Sequence, residues 1–336
     1  RQRINTLTEE VTARSKHGAI WNWVGGLNVT KQWLRTEGPV TFGKDGVAML
    51  EQNINSVLPE NPPMSINFRG ENLRMGGIFE TPMVNIGVFH QSVFHITKAL
   101  SLTAGIRLDY EKNSINYDTS SSVDYGFSMP GMRVDFQDLT ANITEYDGKI
   151  NRDCFNVLPK VALKYDFDAN NNVYMSVARG MRSGGYNIQM FSDLLQGAMQ
   201  NKMMDGVKEA TFAYLDKNMP MMADKIKMMI SAVMPKVELS GVETVAYSPE
   251  FSWNYEVGTH LTLADRTLMI DGALFYNRVN DMQVVRFAPS GLGRMMVNAG
   301  ESESYGCELT LLWTPIRSLA ISGNYGYNQV TFVDYN

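Results

Sequence analysis

Leu100-Ser-Leu-Thr-Ala-Gly-Ile-Arg-Leu-Asp-Tyr-Glu111 alternates with a period of two. Leu100, Leu102, Ala104, Ile106, Leu108 and Tyr110 share one face; Ser101, Thr103, Gly105, Arg107, Asp109 and Glu111 share the other. A helix would scramble the two sets, whereas a strand separates them. Residues 251–263 repeat the pattern, with Phe251, Trp253, Tyr255, Val257, Leu261 and Leu263 opposed to Ser252, Asn254, Glu256, Gly258, His260 and Thr262. Residues 155–167, 305–313 and 319–327 follow it too, while the faces of 84–96 and 173–180 stay unassigned.

Extending outward from these segments gives ten strands, near 4–14, 19–35, 77–96, 100–117, 154–167, 172–185, 251–264, 267–285, 298–314 and 318–333. Many run to about 12–19 residues, against the usual 5–6 of soluble domains. Short turns near 15–18, 97–99, 168–171, 265–266 and 315–318 alternate with long loops near 36–76, 118–153, 186–250 and 286–297. One rim of short turns and one of long loops is the habit of outer-membrane barrels. In the second strand Trp21, Trp23, Leu27, Val29 and Trp33 share a face. Ten tilted residues from Trp23 to Trp33 span about 25 Å, the height of the apolar band between two aromatic girdles. The competing reading makes these aromatics the core of a soluble β protein.

Bulk properties narrow the class. Charged residues are 19% of the 336, aromatic residues 10%, and the net charge is −5. No basic stripe supports nucleic-acid binding, and no run of 18 apolar residues makes a membrane helix. The pattern is already strand-like within ten residues of Arg1. We expect that start to be a cut, with further strands beyond both ends.

Four segments resemble the TonB-dependent receptor family. Ser248-Pro-Glu-Phe-Ser-Trp-Asn-Tyr-Glu-Val-Gly258 is similar to its P-E-x-x-x-N-Y-E-x-G strand, and Val297-Asn-Ala-Gly-Glu-Ser-Glu-Ser-Tyr-Gly-Cys-Glu308 to its N-x-G-x-x-x-x-Y-G-x-E strand. Leu102-Thr-Ala-Gly-Ile-Arg-Leu-Asp109 resembles L-x-x-G-x-R-x-D, and residues 174–186 resemble Y-x-x-x-x-x-G-x-x-x-G-G. Each is weak alone; four in the family's order are specific. The resemblance covers the strands and not the long loops. It implies an all-β, transmembrane antiparallel β-barrel in the outer membrane, of which this chain is about ten of 22 strands. Helical insertions would sit in extracellular loops. It also implies an N-terminal plug and contact with TonB, with plug and terminal strands absent from residues 1–336. The function implied is TonB-dependent import of a scarce nutrient, an iron-siderophore or haem first. A starch-uptake-type glycan or peptide importer and a passive porin are the alternatives.

No catalytic constellation is present, and no cofactor is expected. The histidines His17, His90, His95 and His260 form no metal motif. Cys154 and Cys307 fall on the fifth and ninth strands, about 19 Å apart at four strand spacings, too far for a disulfide. Arg107, Glu256, Gly258 and Glu308 fall on the polar face, where a plug would meet them; water alone could also solvate that face. Arg179, Arg182 and Tyr186 lie near the long-loop end of the sixth strand. They could hold an anionic chelate by charge-assisted hydrogen bonds, or serve as rim charges and a girdle aromatic. Residues 186–250 form a long extracellular loop with ten methionines, including Met190. Two short helices are expected there, one from a Ser192 cap to about Ala210 and one at 222–233. The methionines either pack these helices on the barrel mouth or offer a soft surface to an apolar ligand, a partner or copper. Met190 joins Arg179, Arg182 and Tyr186 as a candidate ligand contact. The expected partners are TonB, the chelate and outer-membrane lipid.

Overall fold

The structure is a computed structural model that describes residues 1–16, 20–59, 63–288 and 293–334. His17 lies outside the described residues. Ten antiparallel strands run in sequence order along one continuous sheet. They are β1 (Gln2–Arg14), β2 (Trp21–Glu37), β3 (Leu73–His95), β4 (Leu100–Met129) and β5 (Asp147–Asp166), followed by β6 (Asn172–Arg182), β7 (Glu250–Leu263), β8 (Leu268–Asn280), β9 (Glu301–Ile316) and β10 (Leu319–Asp334). The ten sequence segments match these ten strands. Three short strands, Val40–Phe42, Ser65–Arg69 and Val134–Ile143, pair with the long-loop ends of β3 and β4.

The register joins the faces across the wall. Trp21, Phe94, Leu102, Leu163, Met175, Val257, Leu274 and Cys307 are ladder partners in one row. Because side chains alternate, each of these marks the outward face of its strand. The outward side is apolar and uncovered: Ile106, Val257 and Leu309 are 45%, 47% and 42% exposed. The inward side of the same strands holds Ser101, Asp109, Glu111 and Asn156, all buried. A water-soluble protein has the opposite arrangement. The apolar outer surface needs lipid, and the antiparallel ladders pair most backbone groups between neighbouring strands of the wall.

The register also assigns the two segments that sequence leaves open. Even residues of β3 and odd residues of β6 face outward. The β3 pattern is blurred because Phe89 and Val93 face inward while His90 and Ser92 face outward. Those outward polar groups satisfy each other: Trp21 Nε1 donates to Ser92 Oγ at 3.1 Å, and His90 Nε2 lies 2.9 Å from the same oxygen. Cys154 faces inward and Cys307 outward, and both are free thiols.

Above the wall, the long loops are more ordered than expected. The segment 118–153 is no loop: β4 continues to Met129 and β5 starts at Asp147. Helix α1 (Lys44–Ser56) and helix α2 (Met190–Asn218) pack there, and a third, α3 (Ala223–Val233), packs on α2. Helix α2 starts before Ser192 and makes no side-chain cap, so the Ser192 cap is corrected, and at 29 residues α2 is not short. The inward residues Phe79, Ile115, Tyr125 and Phe127 and the α2 residues Phe191, Leu195, Met199 and Met203 are nearly inaccessible and form an apolar cap core. Phe191 lies 5.0 Å from Phe79 and 4.8 Å from Tyr117, ring to ring.

Asparagine amides lock the cap segments together. Asn55 bonds both the N–H and the C=O of Ile66, and Asn201 does the same for Val237. Each amide satisfies backbone groups that no neighbouring strand reaches: those on the open edge of Ser65–Arg69, and those of the irregular segment around Val237.

Candidate functional site

The wall motifs act on one another. Arg107 forms a two-toothed ion pair with Asp109, at 2.7 and 2.8 Å. Tyr174 Oη donates to Glu256 Oε1 at 2.7 Å. The Tyr174 ring also lies over Gly258, where a methyl group would come within 2.5 Å of it. Gly258 therefore admits the neighbouring Tyr174 ring on the inward face. Arg107, Glu256 and Glu308 do face inward, and Glu308 is exposed there.

Two further motifs meet at the long-loop rim. Asn298, from the N-x-G segment, accepts from Ser248 N at 2.7 Å and donates to Ser248 O at 3.0 Å. Ser248 opens the P-E segment, and its neighbour Glu250 accepts from Gln283 N at 2.6 Å. Gln283 Nε2 in turn donates to Ser183 O and Ser248 O. Asn298 and Gln283 belong to a hairpin, Gln283–Phe287 with Arg294–Asn298, that closes behind the rim. Gly300 supports the turn with φ of 68°, a left-handed conformation that favours glycine.

These clamps bring residues 184–186 against 246–248, paired Gly185 to Tyr247 and Tyr186 to Ala246. A methyl group on Gly185 would lie 2.5 Å from Tyr247 Oη, so the glycine pair lets the tyrosine fold back over the backbone. The result is an inward-facing pocket of about 360 Å³, lined by Glu111, Arg152, Cys154, Tyr186 and Tyr247. Glu111 is 3% exposed and is held by Asn113 Nδ2 at 2.6 Å and by Ser183 Oγ. Tyr186 Oη donates to Asn113 O at 3.0 Å. Burial pushes both phenols up, with Arg152 partly offsetting this at Tyr186 and Arg182 at Tyr247. Both therefore stay protonated donors at neutral pH, beside guanidinium groups that cannot lose their charge.

Of the ligand-contact candidates, Tyr186 lines the pocket and Arg182 stands near it through Tyr247. Arg179 does not join them. It pairs with Trp253 and faces outward, its guanidinium 4.4 Å above the Phe251 ring and bonded to Val157 O. This is a snorkelling arginine in an aromatic belt, and the correction follows from strand parity. Met190 is also corrected, because it is buried in the cap beside Leu194 and Ile54 and away from the pocket. Glu111, Arg152 and Tyr247 were missed, since 136 residues (247 − 111) separate the outermost two. The Gly184-Gly185 pair was the one local signal.

An inside-out antiparallel wall with a pocket at its long-loop rim defines a transmembrane β-barrel. The profile of the TonB dependent receptor-like β-barrel matches residues 8–336. The chain belongs to the TonB-dependent receptors, outer-membrane proteins, and forms part of their β-barrel. It is similar to the pesticin receptor of Yersinia enterocolitica serotype O:8 / biotype 1B, 24% identical over 253 residues, and to that of Yersinia pestis, 25% identical over 255. Each match covers 75% of this chain and 27% of the relative, so the chain spans about a quarter of their length. The ferric yersiniabactin uptake receptor of Yersinia pestis shares the fold, with a TM-score of 0.56 at 18% identity. That match covers 99% of this chain and 36% of the other.

Proposed function

We propose that the chain is the wall and mouth of a TonB-energised importer of an iron chelate. The short turns face the periplasm and the cap, including residues 186–250, faces outward. The observation that carries the cargo reading is the pocket at the mouth, where Arg152 and two protonated phenols face the bore with Arg182 beside them. A ferric chelate presents anionic oxygens, and the guanidinium groups and the Tyr247 hydroxyl hold these by charge-assisted hydrogen bonds, while the Tyr186 hydroxyl is spent on Asn113 O. The wall stays passive: it excludes lipid, holds the mouth rigid and leaves gating to a plug. Arg107, Glu256 and Glu308 offer that plug an inward face of mixed charge.

Growth tests this in a strain whose sole route for a given ferric chelate is the full-length receptor. Growth should depend on the receptor and on TonB. Arg152→Ala with Arg182→Ala should weaken chelate binding by about tenfold or more while the protein still inserts. Receptor-dependent growth on a glycan or peptide, with none on iron chelates, would replace iron with that cargo. Uptake that persists without TonB would instead mark a passive pore.

A further inference from the structure

Nine of the ten methionines of residues 186–250 divide into two populations, Met234 being partly buried at the end of α3. Met190, Met199, Met203 and Met204 are buried and fill the cap core. Met219, Met221, Met222, Met228 and Met229 are exposed, Met221 at 99% and Met228 at 74%. The second group lies within eleven residues, at the turn from α2 into α3 and along α3.

Within α3 the sorting runs against burial. Ala223 and Ile230 are buried against α2, and Ile226 packs on the same core. The thioethers stay out in water. Leucine is absent from α3, although it is an equally good helix former and the ordinary choice for an apolar face. The exposed positions carry sulfur, then, where apolarity alone would be met by leucine. Lys227, a cation on this helix, is ion-paired with Asp216.

The backbone gathers these sulfurs. Met222 N donates to Met219 O at 3.0 Å, so a turn brings the two residues together. Met222, the N-cap of α3, and Met229 are seven apart and so lie about 10 Å apart along the helix, with Met228 next to Met229 and Met221 in the turn before the cap. Two unbranched methionine side chains, each with three rotatable bonds, close that gap.

We propose that Met219, Met221, Met222, Met228 and Met229 form a capture site for a soft monovalent metal ion, Cu(I) or Ag(I). Thioether sulfur is a soft neutral donor that selects Cu(I) over the hard divalent cations. Thioethers bind no proton, so capture persists in acid where thiol and imidazole ligands are lost. The site is distinct from the pocket that holds Arg152 and Tyr186, and it does not depend on the cargo of that pocket.

The test titrates Cu(I) into the full-length receptor in detergent, against a chromophoric Cu(I) chelator, near pH 7.5 and again near pH 5.5. Wild-type affinity should change by less than about threefold between the two. Substituting all five methionines by leucine should weaken binding by about tenfold or more. Replacing Cys154 and Cys307 by serine should leave it unchanged. Leucine keeps the face apolar and the helix intact, so a patch that serves only to dock an apolar partner would survive that exchange. Full Cu(I) affinity in the five-leucine variant, loss of binding at the lower pH, or loss in the cysteine variant would each overturn the site.

Discussion

Between Leu100 and Glu111 the inward face of β4 carries Ser101, Asp109 and Glu111. Between Ile115 and Met129 the same face carries Ile115, Val123, Tyr125, Phe127 and Met129, all buried. The same odd-numbered residues face inward along the whole strand, although its partners change: β3 pairs with it up to Ser121, and Ser65–Arg69 and Val134–Ile143 pair with it beyond. What changes is the surroundings. Low on the strand, lipid takes the apolar face and the bore takes the polar one; high on the strand, α2 covers the inward face and water has the outside. One sheet thus serves two solvents, and Glu111 and Asn113 stand at the seam. The pocket opens there because the polar lining ends before the apolar cap begins.

The largest effect should come from emptying the cap. Phe127→Ala removes a fully buried ring and should cost about 3–5 kcal/mol. The loss should be confined to the cap, so protease should cut residues 186–250 while the wall stays resistant to unfolding in detergent. Loss of the wall in parallel would show that cap and barrel are one cooperative unit.

The wall should respond to charge by parity. Val161 faces outward, about 10 Å above the outward aromatic Tyr165 in the same strand, and Lys160 and Lys164 face inward near it. Val161→Lys should cost about 2–4 kcal/mol when the full protein refolds into vesicles. Lys160→Val should stay within about 1 kcal/mol, since it places no charge in lipid. Equal costs on both faces would break the inside-out reading of the wall.

The sequence shows the wall better than the cap for a related reason. Alternation over a dozen residues is a local signal, so residues such as Leu102, Val257 and Leu309 declare their face without any partner. The upper half of β4 hides because Asp118-Thr-Ser-Ser-Ser122 reads as loop, although Thr119 and Ser121 are buried beside Phe79 and Met75. Arg179 misleads because its height near the rim is legible and its parity is not, in a strand whose inward side offers Ser176 and Ala178. The pocket is the least legible part. Glu111, Arg152, Tyr186 and Tyr247 meet only after four strands are in register, and Asn298 and Gln283 act on backbone atoms that leave no trace in composition.

Those clamps supply the next effect in size. Asn298→Ala leaves the N–H of Ser248 without its partner, while Gln283 still serves the C=O, at about 1–3 kcal/mol. Because the damage is local, hydrogen exchange at the Ser248 amide should quicken and chelate binding should weaken, with overall melting nearly unchanged. Unchanged exchange at Ser248 would show that the hairpin holds the rim without Asn298.

The smallest effect tests the seam from above. Tyr125 is buried under α2 and donates its hydroxyl to Met203 O at 2.9 Å. Burial, assisted by the charge of Glu209, pushes this phenol up to about 12. The unfolded phenol titrates near 10, so between these values the folded state holds the proton more tightly. Stability from this group is complete below about pH 10 and is lost as pH rises toward about 12. The cap should therefore loosen over that window while the wall does not. Tyr125→Phe should cost about 1 kcal/mol at neutral pH, for one lost hydrogen bond, and should flatten the alkaline response. Helix α2, followed by proteolysis across pH, would report the difference. An alkaline loosening that survives Tyr125→Phe would assign the titration to another group and leave Tyr125 as packing alone.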